Sequence, residues 1–168
     1  MSLPTPSREG SAPHRLGIAW VCMWLALAAH VADEALTGFL PVYNATVRAL
    51  RAQLGFWPMP VFEFKVWLTG LLVLVAALAV LSPCAFRNAP WLRPIFYFVA
   101  VVIGLLNAAG HTLATILGHT VSTVQVARPA PGFYSSPLLV IAAIYALRQL
   151  WLTRRRPLRD MRVPRHAA

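Results

Sequence analysis

Residues 16–36 read LGIAWVCMWLALAAHVADEAL. From Leu16 to Ala29 the run carries no charge, and it continues through His30, Asp33 and Glu34 without a helix breaker. About 20 residues of helix cross the ~30 Å hydrocarbon core of a bilayer, so this stretch predicts a transmembrane helix. Three further apolar blocks follow, at about Val61–Leu81, Pro94–Gly118 and Pro137–Leu152. Extended segments facing lipid would leave backbone N–H and C=O groups without partners, so each block is read as a helix.

The bulk composition agrees. Of 168 residues, 58% are hydrophobic and 12% charged. Soluble domains carry about 25% charged residues. The expected architecture is therefore all-α, a four-transmembrane-helix bundle occupying residues 16–153. A polar, disordered tail (residues 1–15) precedes it and a basic tail (residues 154–168) follows. The connection Thr37–Pro60 holds Arg48 and Arg51 among Leu50, Leu54, Phe56 and Trp57, the pattern of an interfacial helix after the first span. The connection His119–Ser136 carries the turn sequence Pro129-Ala130-Pro131-Gly132.

The net charge of +10 raises the question of nucleic acid. Its distribution answers against it. Arg148, Arg154, Arg155, Arg156, Arg159, Arg162 and Arg165 cluster at and beyond the end of the last block, as anchoring to anionic lipid requires. With four spans, these residues share one side with Arg8, Arg15, Arg87 and Arg93. The other side holds Arg48, Arg51, Arg128 and Lys65. The positive-inside rule then places both termini in the cytoplasm, in a bacterial-type inner (plasma) membrane. A competing reading takes residues 1–28 as a cleavable signal peptide ending at Ala26-Leu27-Ala28. The run is long for such a segment and continues helically to Glu34. Cys22 and Cys84 have no metal or redox spacing, and no disulfide is expected.

Ionisable groups inside apolar blocks are functional candidates, because each costs roughly 3 kcal/mol at the bilayer centre even on the mild scale. His30, Asp33 and Glu34 stand at i, i+3 and i+4 on one helical face. Asn107 and His111 stand at i and i+4 on the third block, with His119 at its end. Glu63 and Lys65 open the second. With the orientation above, all of these lie in the outer half of the membrane. Plainer roles compete: Glu63 and Lys65 can snorkel to the surface, His119 can be an interfacial residue, and Asn107 can bridge helices.

Imidazoles with carboxylates suit a divalent metal such as Zn or Fe. The same groups support acid–base work or a proton relay. No phosphate-binding loop, nucleophile elbow or His-Glu-x-x-His motif is present.

His30-Val-Ala-Asp33-Glu34, Asn107-Ala-Ala-Gly-His111 and Pro131-Gly132 together resemble the HXXEE family of small integral membrane proteins. That family is named for His-x-x-Glu-Glu, followed by Asn-x-x-x-His and Tyr-x-Pro-Gly. The order agrees across about Leu16–Leu152. Asp33 replaces the first Glu, and Pro129 stands where the family has Tyr; Tyr134 is not at the equivalent place. The resemblance implies a membrane enzyme with a site at His30, Asp33, Glu34, Asn107 and His111, and names no substrate.

These readings lead to three expectations. The first is a membrane-embedded, metal-dependent hydrolase acting on a lipid-like substrate near the outer leaflet. In it His30 and His111 ligate the metal with Glu34 or Asp33, the other carboxylate serves as general acid/base, and Asn107 orients His111 or the substrate. The second is a small carrier of protons or metal ions, enlarged by homodimerisation. The third is a structural subunit.

Overall fold

The computed structural model describes residues 11–154. The basic cluster beyond Arg154, and most of the tail expected before residue 16, lie outside the described residues. The all-α expectation holds. Four helical spans are long and apolar enough to cross a bilayer: Pro13–Thr37, Phe64–Phe86, Leu92–Leu117 and Ser136–Thr153.

Helix α1 (Ser11–Thr37) begins inside the stretch read as tail. Pro13 falls in its first turn, where a missing N–H removes no intrahelical bond. This helix is the centre of the bundle. It contacts every other span, and half of its apolar window is buried, against 11% for the second span. Trp20, Met23, Phe96, Leu139 and Leu150 are among the fully buried core side chains. The Trp20 indole packs edge-on to Phe96 with centroids 4.9 Å apart, and its Nε1 donates to the Leu78 carbonyl at 2.7 Å. A buried indole thereby keeps a partner for its only donor. Cys22 and Cys84 are free thiols.

Helix α2 (Phe39–Leu54) is the expected surface helix, and it starts eight residues before the amphipathic run that began at Val47. Gly38 alone turns the chain, with φ +78°, a conformation that costs glycine little. Leu40 and Val47 of α2 are buried, while Arg48 and Arg51 are exposed. The segment leading on to the second span runs back along α2. Asn44 brackets Phe62, donating to its carbonyl at 2.8 Å and accepting from its N–H at 3.0 Å. Arg51 Nη2 donates to the Met59 carbonyl at 2.6 Å.

The second span comprises α3 (Phe64–Val80) and α4 (Ser82–Phe86). The sequence placed its end at Ser82-Pro83. Pro83 instead opens α4, again in a first turn.

The third span is α5 (Leu92–Phe98), a π-helical stretch (Val99–Leu106) and α6 (Asn107–Leu117). Nothing in the sequence pattern signalled the π-helical stretch. Such wide turns re-aim the residues that follow them, and the one that follows is Asn107. A short antiparallel hairpin, β1 (His119–Val121) with β2 (Val124–Gln125), extends the third connection beyond the turn chemistry foreseen there. Helix α7 (Ser136–Arg154) closes the bundle against α1 and the π-helical stretch.

Gly104 marks a close approach of the third and fourth spans. A Cβ there would stand 2.8 Å from that of Ala143 and 3.1 Å from Met23 Cε. Small residues at such crossings allow close helix packing in lipid. Gly104→Val should destabilise the protein by about 1–3 kcal/mol. Gly70→Val, whose position meets nothing within 4 Å, should not. Thermal unfolding of both variants in detergent measures the difference.

Candidate functional site

The site forms where α1, α6 and the turn before α7 meet. His30 is 0% exposed, Glu34 5% and His111 5%. Glu34 lies one helical turn after His30, and His111 one turn after Asn107, so two spans present two polar residues each to the same depth.

Glu34 Oε1 is the point of convergence. His111 Nε2 lies 3.1 Å away and His30 Nε2 3.5 Å. The two imidazoles meet nearly edge-on, with centroids 4.9 Å apart. One ligand-type atom from each of the three residues falls within 4.8 Å of the other two. Two metal bonds of about 2.1 Å at a tetrahedral angle hold their ligand atoms roughly 3.4 Å apart, so the two Glu34 separations suit a shared ion. Among the described residues this is the one such group of three.

The surrounding hydrogen bonds assign the proton on His30. Ser135 Oγ and its backbone N–H both donate to Asp33 Oδ2, at 2.7 and 2.8 Å. With its hydrogen given to Asp33, the Ser135 hydroxyl accepts from His30 Nδ1 at 2.8 Å. His30 is then protonated at Nδ1, and its Nε2 lone pair accepts from Asn107 Nδ2 at 2.9 Å. Each of these four hydrogen bonds then runs from a donor to an acceptor. The outcome is a neutral imidazole whose bare nitrogen faces Asn107 and Glu34. A ligating histidine is held in this way by a group behind its other nitrogen. The same arrangement keeps Ser135 from acting as a nucleophile activated by His30, since its proton is already committed.

His111 is held from three sides. Its Nε2 donates to Glu34. The Phe39 ring packs against it at 5.3 Å. Gly132 covers it with φ +81°, and a Cβ there would come within 2.6 Å of Cε1 and 2.8 Å of Nδ1. Only glycine fits the position on both counts. The turn itself is pinned by the Gly132 N–H donating to Thr37 Oγ1 at 3.2 Å and by the Ser136 hydroxyl donating to the Gly132 carbonyl at 2.8 Å.

The expected residues therefore separate. His30, Glu34, Asn107 and His111 come together. Asp33, foreseen as a second carboxylate beside the metal, turns toward Ser135 and supports His30 from behind. Glu63 is exposed at the start of α3, as is Lys65, and neither joins the cluster. His119 sits in β1, away from the triad, and its Nδ1 is enclosed with no hydrogen-bond partner. Tyr134 is exposed. Ser135, Gly132 and Thr37 were not foreseen as site residues. Of these only Gly132 carried a signal, as the glycine of a Pro-Gly turn.

Compared with protein-family models, with curated proteins and with solved structures, the chain matches none.

Gly132→Ala should destabilise the protein by about 1–3 kcal/mol, because the added methyl meets both the backbone and the His111 ring. Thermal unfolding reads this directly. Nitrogen-15 NMR of histidine-labelled protein should show His30 protonated at Nδ1 and bare at Nε2.

Proposed function

We propose that this chain is a membrane-embedded, metal-dependent hydrolase of the HXXEE type, acting on a lipid-like substrate near the outer leaflet. The observation that carries the reading is the buried His30–Glu34–His111 triad, with the His30 lone pair already aimed inward. Two imidazoles and one carboxylate are the donor set of catalytic zinc and of non-haem iron sites. The excess of arginine at the two ends and in the second connection supports a cytoplasmic location for both termini, which sets the triad toward the outer face.

A bound zinc or iron ion would supply a water acidified to a pKa near ~7, a nucleophile at neutral pH. The chain's own residues do the rest. His30 would hold the ion through its bare Nε2, His111 would do the same once the Nε2 proton that Glu34 accepts has left, and Glu34 would offset the ion's charge. Asp33 and Ser135 keep His30 in the ligating tautomer. In hydrolysis of an ester, the water oxygen joins the acyl carbon, the bond to the alcohol oxygen breaks, and a water proton leaves with the alcohol. Asn107 can turn its amide N–H from His30 to the carbonyl oxygen as charge develops there.

Protein purified from metal-supplemented cells should hold one zinc or iron ion per chain by elemental analysis. His30→Ala, His111→Ala and Glu34→Gln should lose it. Ser135→Ala should keep the ligands but bind the ion roughly 10–100-fold more weakly. Wild-type protein without metal, or variants with as much metal as wild type, would reject the reading.

A further inference from the structure

A cavity of about 460 Å³ is lined by residues of α2, α6 and β1, with His111 and Asn107 of the site among them. We propose that it is the binding site for the chain of an uncharged, single-chain lipid, whose ester or amide carbonyl is thereby brought to the triad. The proposal rests on the hydrolase reading and names the substrate class for that site.

Three observations carry it. The first is the lining. Phe39, Val42, Leu106, Leu113, Ala114 and Leu117 make it apolar along its length. Among the described residues, no Asp, Glu, Lys or Arg side chain lines it. Tyr43, which does, stays a neutral phenol: burial pushes its pKa up against the opposing pull of Arg51. A phosphate headgroup would enter this cavity without a cation to meet it, whereas a neutral amphiphile would not need one.

The second is the size. At roughly 30 Å³ per small group, the share of one water in the liquid, the cavity takes on the order of fifteen heavy atoms. That is the size of a single acyl chain.

The third is Gly110. It lies on the cavity wall between Asn107 and His111, and a Cβ built on it meets nothing within 4 Å. Glycine inside a helix is unfavourable relative to alanine, and no neighbouring helix requires its small size. With no side chain there, this part of the wall is bare backbone.

The test uses full-length protein in detergent and native mass spectrometry, with 1-monopalmitoylglycerol as probe and palmitoyl-lysophosphatidylglycerol as its anionic counterpart. Measurements in a Glu34→Gln background prevent turnover and make lipid binding independent of metal loading. The neutral lipid should bind one per chain and more tightly than the anionic one. Gly110→Leu, which adds a side chain to the cavity wall, should lower affinity for the neutral lipid at least about tenfold, a change of about 1.4 kcal/mol in binding free energy, without lowering Tm. Ala114→Phe, one turn along the same wall, provides a second obstruction should Gly110→Leu fail to fold. Undiminished binding to a folded obstructed variant, or equal or tighter binding of the anionic lipid, overturns the proposal. Failure of the metal reading alone would leave the lipid result intact and empty only the elemental analysis.

Discussion

A carboxylate enclosed between membrane helices is the constraint around which this structure is organised. Glu34 is nearly inaccessible, and an unpaired ionised carboxylate in apolar surroundings is costly enough to be protonated or expelled. Two imidazoles meet it, one from its own helix and one from the third span. Each of these is then itself a buried polar group in need of partners. His30 finds Ser135 and Asn107, Ser135 finds Asp33, and the turn that carries Ser135 is tied to Thr37. The polar residues of two spans and of the turn before α7 thus form one connected network, and its members rigidify one another because a half-satisfied network in low dielectric is worse than none.

Backbone features away from the charges make this network possible. The π-helical stretch ends at Asn107, so the polar stripe of the third span begins where the helix recovers its normal pitch. The Pro131-Gly132 turn lays bare backbone over the His111 ring, and the same turn delivers Ser135 to His30. Helix α2 folds back immediately at Gly38, which brings the Phe39 ring against that of His111. A bundle with the same spans and a different third connection would have the ligands without the parts that orient them.

The spans were legible because the signal is one of composition: lipid tolerates few charges over twenty residues, and the four apolar blocks stand out against their flanks. Helix pitch alone placed His30 with Glu34, and Asn107 with His111. The convergence of the two pairs followed from topology, since alternate spans reverse direction. Three features were hidden for physical reasons. Asp33 and Glu34 lie on either side of the His30 direction, about 100° apart around the helix, which is enough to aim Asp33 at a different neighbour. Ser135 is an ordinary turn residue until tertiary contact gives it a carboxylate and an imidazole. The π-helical stretch consists of valine, alanine, isoleucine, glycine and leucine, a composition that suits a regular membrane helix equally well. Helix α1 begins before Leu16 and the second span continues past Leu81 because polar residues and a proline are compatible with helix in a first turn.

The triad draws its donors from only two segments, α1 and α6, whose paired side chains are 77 positions apart in the chain. An ion seated there would act as a clasp between the first and third spans, closing a long stretch of polypeptide whose looseness otherwise favours the unfolded ensemble. Occupancy and folding would then be coupled by mass action, since the clasp exists only when both helices are docked. Scarcity of the ion in the surrounding compartment would be felt as reduced persistence of the whole bundle in the bilayer, before any question of turnover arises.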